Sequence, residues 1–148
     1  MIGVDTNLLV YAHREDSSWH EVASALVRDL AESPAPWAIP WPCVHEFVAI
    51  VTHPRIYAPP TPMPQALDQV EAWLESPSLV LLSETDSYWG SLRECLEEGR
   101  VSGPRVHDAR VAALCVHHGV RELWTADRDF SRFAALPTRN PLVGAGPA

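Results

Sequence analysis

The chain opens on Ile2-Gly3-Val4-Asp5-Thr6-Asn7-Leu8-Leu9-Val10-Tyr11, a short apolar run that meets an acid and passes at once into helical periodicity. No other stretch restricts the fold as much. A buried strand that turns directly into a helix suits a parallel α/β sheet, and Asp5 then stands at the strand's carboxyl end, where such sheets form their ligand crevices.

The remaining segments alternate in the same way. Thr6 or Asn7 opens a short helix to about His13, and Ser18-Trp19-His20-Glu21 has the form of a capping box for a second helix to about Ala31. Trp37-Ala38-Ile39 reads as a strand. Pro42 fits the first turn of a helix whose Val44, Phe47, Val48 and Val51 repeat at helical spacing to about Thr52. Prolines between Pro54 and Pro64 then exclude regular structure from a loop long enough to be functional or to wrap around the domain. The next helix carries Leu67, Val70, Trp73 and Leu74 on one face, and Leu79-Val80-Leu81-Leu82 reads as a strand covered on both faces. A helix from Asp86 to about Glu98 carries Trp89, Leu92 and Leu96. Residues 99–104 form a loop, and residues 105–118 form a helix apolar nearly all round, stopped by Gly119. A strand at 122–125, a helical turn at 129–133 and an edge strand at 138–142 complete the pattern. Strands separated by helices predict a three-layer α/β sandwich, a central mainly parallel sheet with helices on both faces. The predicted domain occupies residues 1–142, with a short tail at 143–148.

Composition narrows the setting. Three widely spaced cysteines, Cys43, Cys95 and Cys115, fit reduced thiols, and hence the cytoplasm, better than a disulfide framework. No leader precedes the first strand, and no apolar run approaches the roughly 20 residues of a membrane span. A net charge of -8 argues against nucleic-acid binding through a broad basic surface. All eleven basic residues are arginines, however, and Arg100, Arg105, Arg110, Arg128 and Arg132 lie in sequence near notable acids.

Those acids are Asp5, Asp108 in the first turn of the buried helix, and Asp127 just after the fourth strand. They meet at one end of the sheet if strands one and four are neighbours. Asp5 and Asp127 equally suit helix caps, and Glu46 falls opposite Val44, Val48 and Val51, where a solvated residue belongs. Asp108 is hardest to dismiss, because a helix buried all round has no need of an acid. Carboxylates sharing a crevice repel unless protonated or bridged by a hard cation, and oxygen ligands select Mg²⁺ or Mn²⁺. Such a cluster suits metal-assisted phosphodiester hydrolysis.

Val4-Asp5-Thr6-Asn7, Pro42-Cys43-Val44-His45-Glu46-Phe47, Val106-His107-Asp108-Ala109 and Thr125-Ala126-Asp127-Arg128-Asp129-Phe130 together resemble the PIN-domain family, and within it the VapC toxins of bacterial toxin-antitoxin pairs. The resemblance runs from Ile2 to about Leu142. It implies a Mg²⁺- or Mn²⁺-dependent endoribonuclease acting on RNA, commonly a homodimer, and held inactive by a small VapB-type antitoxin. Position by position it implies an acidic quartet of Asp5, Glu46, Asp108 and Asp127, with Asp5 and Asp108 as direct metal ligands. Asp129 becomes an auxiliary acid, Thr125 a hydroxyl lining the site, and Asn7 a residue orienting Asp5.

Alternatives remain. His13, His45, His53 and His107 lack a His-x-x-x-His spacing for zinc, and His117-His118 suits the negative end of a helix dipole. Trp73, Trp89 and Trp124 fall on apolar faces, whereas Trp37 and Trp41, beside prolines, are the expected exposed pair. An aspartyl-phosphate phosphatase lacks support, since the first strand has no second acid and the chain no lysine. A catalytically inert PIN-like protein-binding module is the non-enzymatic alternative; loss of an acid would mark it, and all are present.

Overall fold

The computed structural model describes residues 1–143, so all but the first residue of the predicted tail lies outside the described residues. In chain order the elements are β1 (Ile2–Val4), α1 (Thr6–His13), α2 (His20–Glu32), β2 (Trp37–Pro40), α3 (Trp41–Val51), α4 (Met63–Leu74), β3 (Leu79–Leu82), α5 (Tyr88–Gly99), α6 (Val106–His117), β4 (Glu122–Trp124) and β5 (Thr138–Arg139). The strands form one sheet in the order β3-β2-β1-β4-β5, and every described pairing is parallel. The result is the three-layer α/β sandwich that the alternation of strands and helices predicts.

The sheet order decides where the site must be. β1 lies at the centre and pairs with β4, Val4 opposite Trp124, so the segments leaving these two strands emerge side by side. The ladder continues past the strand ends, with Asp5 N–H donating to the Trp124 carbonyl at 3.0 Å and Thr125 N–H to the Arg139 carbonyl at 2.9 Å. Beneath them Val4, Leu8, Leu9, Trp37, Ile39, Phe47, Leu114 and Leu123 are almost entirely withdrawn from water. No helix among the described residues is long and apolar enough to cross a membrane.

Several local expectations are corrected. Ser18 does not cap α2: the helix begins at His20 without a side-chain cap, and Ser17 Oγ accepts from Trp19 N–H instead. β3 is an edge strand, so Val80 stands 39% exposed rather than covered on both faces. On α4 the inward residues are Ala66 and Trp73, with Val70 partly buried; Leu67 and Leu74 sit about one residue's rotation off that face and are exposed. Trp73 meets Phe47 edge to face with centroids 4.7 Å apart. Trp37 is fully buried rather than exposed, because Ser76 Oγ accepts from its indole N–H at 3.1 Å. Trp89 is exposed rather than core, because its neighbour Tyr88 takes the inward position and donates to the Arg110 carbonyl. Nor is α6 buried all round, since Arg110, Val116 and His117 reach its margin. His117 and His118 bond to Thr85 Oγ1 and the Ser83 carbonyl, which ties the end of α6 to the segment after β3. The proline-rich loop wraps onto the domain: Arg14 donates to the Pro59 carbonyl and lies over the Tyr57 ring at 4.2 Å.

Gly99, predicted as loop, is the last residue of α5 and is buried against Phe133. A β-carbon there would stand 2.5 Å from Phe133 Cε1, in a ring that is itself 1% exposed. Gly99→Ala gains up to about 1 kcal/mol of helix propensity, but forced overpacking costs about 1–3 kcal/mol. The expected outcome is a net loss of up to about 3 kcal/mol in urea unfolding; a raised midpoint would contradict this packing.

Candidate functional site

Asp5 is the most buried acid of the described residues, 5% exposed at the end of β1, and it caps α1. Its Oδ1 accepts from Thr6 N–H at 2.8 Å and from the Cys43 thiol at 3.5 Å. Its Oδ2 accepts from Thr125 Oγ1 at 2.8 Å and from Asn7 Nδ2 at 3.4 Å. Thr125 is itself buried after β4, and its hydroxyl oxygen accepts from Asn7 Nδ2 and Asp127 N–H. Asn7 Oδ1 accepts from Ala126 N–H, so one amide side chain joins the segments leaving β1 and β4. Four donors do not fully offset the loss of water: burial pushes the Asp5 carboxyl up to about 6, against the lowering effect of Thr125, Thr6 and Cys43.

Glu46 arrives on α3. It is exposed, as the helical wheel predicts, yet its Oε2 accepts from Thr6 Oγ1 at 2.8 Å. Cys43 and Ile50, one helical turn to either side of Glu46, account for this: Cys43 touches Asp5, and Ile50 walls the same hollow. Asp108 lies in the first turn of α6, half-buried. Burial, then Asp127, Glu46 and Asp129, hold its carboxyl above the usual range, with Arg105 opposing. Asp127 Oδ1 accepts from Asp129 N–H and caps the helical turn Arg128–Arg132.

Asp5, Asn7, Glu46, Asp108 and Asp127 thus line one hollow of about 200 Å³, walled by Ile50, Val111 and Phe130. Two residues implied by the resemblance stand apart from it. Thr125 lies beneath, bonded to Asp5, and Asp129 is turned aside into an ion pair with Arg105 at 2.7 Å. Of the arginines near the acids in sequence, Arg110 pairs with Glu84 and Arg132 reaches the Gly99 carbonyl. Thr6 and Cys43 escape sequence reasoning although both touch Asp5. Thr6 has a signal, since a threonine directly after a strand-end acid presents both its N–H and its hydroxyl at a helix N-terminus.

Comparison with known proteins identifies the family to which this fold belongs. The PIN domain family model matches residues 2–136. Ribonuclease VapC43 of Mycobacterium tuberculosis is 33% identical over 144 residues, covering 97% of each chain. Among solved structures, VapBC2 from Rickettsia felis bound to a promoter DNA fragment superposes with a TM-score of 0.64 at 21% identity, over 94% of this chain and 98% of that one. The Mycobacterium tuberculosis VapC20, a toxin that cleaves the sarcin-ricin loop, gives 0.64 at 18% identity, over 88% and 93%.

The raised Asp5 carboxyl has a measurable consequence. In the unfolded chain Asp5 releases its proton near 3.8, in the native chain only near 6. Its contribution to stability is therefore greatest below about pH 4 and is lost as the pH rises through 6, by roughly 3 kcal/mol. Asp5→Asn cannot ionise. In EDTA, wild type should lose up to about that much stability relative to Asp5→Asn between pH 4 and 7, read by urea unfolding; a difference that stays flat would contradict the burial of this charge.

Proposed function

This chain belongs to the PIN-domain family, and from that membership we propose that it is an endoribonuclease, the toxin of a VapBC-type toxin-antitoxin pair. The convergence of Asp5, Glu46, Asp108 and Asp127 on one hollow carries this reading. The name of the VapC43 ribonuclease, aligned almost end to end, supports the substrate class, and the solved VapBC2 assembly supports a partner of the VapB kind. Three buried free thiols accord with a reducing cytoplasm.

The cofactor of this reading is Mg²⁺ or Mn²⁺. The donor set fits a hard cation, being all oxygen, and while burial is the main cause that raises Asp108, the added repulsion from Asp127, Glu46 and Asp129 is what a divalent charge relieves. Among the described residues no three acids, histidines or cysteines stand close enough to enclose an ion by themselves. A cation would therefore be shared by one or two carboxylates with water and phosphate oxygens, the usual habit of Mg²⁺. When bound it supplies charge compensation at the phosphate and makes water more acidic. Asp5 and Asp108 would hold it directly.

The chain's own residues do the rest. Thr125, Thr6 and Asn7 fix both oxygens of Asp5 before any ligand arrives, so no reorganisation is needed at the moment of reaction. Glu46, steadied by Thr6 Oγ1, and Asp127, steadied by the Asp129 N–H, face the hollow from opposite sides and can orient the attacking water or take its proton. Ile50, Val111 and Phe130 exclude bulk water from the inner wall, where charge interactions are strengthened. Asp129, paired with Arg105, would act at one remove, through water.

Cleavage of single-stranded or looped RNA by the purified chain should require Mg²⁺ or Mn²⁺ and stop in EDTA. Asp108→Asn keeps the shape and removes one charge. It should cost on the order of a hundredfold or more in cleavage while leaving the metal-free melting temperature equal to wild type or higher. Cation at about a hundredfold excess over its Kd should stabilise wild type by about 2.7 kcal/mol and the variant by less. Full cleavage in EDTA would sink the metal mechanism. No cleavage of any cellular RNA by antitoxin-free protein would favour an inert binding module, and an Asp108→Asn melt well below wild type with an undiminished metal shift would make Asp108 a structural acid.

A further inference from the structure

The acid hollow, about 200 Å³, has a larger neighbour with which it shares Asp127. That neighbour, about 340 Å³ at the carboxyl ends of β4 and β5, is lined by Thr125, Asp127, Arg128, Ser131, Arg139 and Asn140. We propose that this second hollow seats the nucleotide next to the scissile bond of an RNA strand, with Arg128 and Arg139 gripping its phosphate. The proposal rests on the ribonuclease reading and names the strand-binding site that goes with it.

Three observations carry it. Asp127 lines both hollows, so the second lies within reach of a strand whose reacting phosphate faces the acids. Arg128 and Arg139 form no ion pair with any described residue, unlike Arg105 and Arg110, which are held by Asp129 and Glu84. On a chain of net charge -8, free guanidinium groups beside the acids are where a polyanion finds attraction. The remaining lining is suited to a ribose and its 2′-hydroxyl: Ser131 contributes a hydroxyl, and Asn140, whose Oδ1 accepts from Leu142 N–H, keeps its amide donors for a ligand. On the other side of the acids, Pro42, His45, His107 and Arg110 line a further hollow beyond Glu46, but its one arginine is already paired with Glu84.

The test uses the full chain and a labelled oligoribonucleotide that wild type cuts, with Mn²⁺ present. Arg128→Gln and Arg139→Gln should each raise KM by on the order of tenfold with kcat changed less than about twofold, and the double variant should raise it further. Each lost phosphate contact should also flatten the dependence of log KM on log salt by about 0.7. Arg128→Lys should recover part of the loss, because it restores the charge without the fork. Arg121→Gln, just before β4 at the opposite end of the sheet, removes the same charge and should leave KM unchanged. Unchanged KM and salt slope in the double variant would overturn the subsite while leaving the ribonuclease reading intact. Loss of kcat at constant KM, or an equal rise in KM from Arg121→Gln, would also overturn it. A wild type that cuts no RNA would remove the ribonuclease reading and the subsite together.

Discussion

The hydrogen bond from Thr125 Oγ1 to Asp5 Oδ2, 2.8 Å long and closed off from water, joins the two strand ends on which the site is built. A charge at this depth without partners is strongly unfavourable, so Asp5 is tolerable only because β4 delivers Thr125, α1 delivers the Thr6 N–H and Asn7, and α3 delivers the Cys43 thiol. Even so the carboxyl rises to about 6, because desolvation, helped by the charge of Glu46, outweighs the lowering effect of Thr125, Thr6 and Cys43. Were β1 and β4 not neighbours, Thr125 could not reach Asp5 and Asn7 would lose Thr125 and Ala126, leaving Asp5 with Thr6, Asn7 and Cys43 alone.

The other acids add repulsion to that cost. Like charges facing one hollow repel more strongly where water is partly excluded, and screening removes only part of that. The fold lessens the burden in specific ways. Glu46 stays exposed and is held by a hydroxyl, and Asp129 is drawn off by Arg105. Asp108 stays half-buried with its carboxyl raised. What remains is a hollow in which negative charge is concentrated.

The parallel architecture was legible because long-range order follows from alternating apolar strands and amphipathic helices, and the approach of Asp5 to Asp127 follows once β1 and β4 are paired. Details failed where a neighbour in space, not in sequence, decided. Trp37 is buried because Ser76, far along the chain, satisfies its indole N–H, and Trp89 is exposed because Tyr88 occupies the inward position. Val80 is open to water because the strand order places β3 at an edge, which apolarity alone does not reveal. Within the site, the strand-end acids could be placed from motif and topology. The roles of Thr6 and Cys43, and the diversion of Asp129 to Arg105, depend on side-chain directions that no spacing rule supplies.

If Asp5 takes the cation directly, binding must displace the proton that burial holds on its carboxyl. Titration calorimetry of Mn²⁺ into the metal-free chain, in buffers of different ionisation enthalpy, counts the protons released on binding. The expected result is about half a proton or more per chain at pH 6, rising toward lower pH and vanishing by about pH 8, because ligation requires the ionised carboxylate. Binding without proton release across this range would mean that the ion does not reach Asp5, and would contradict the assignment of the site.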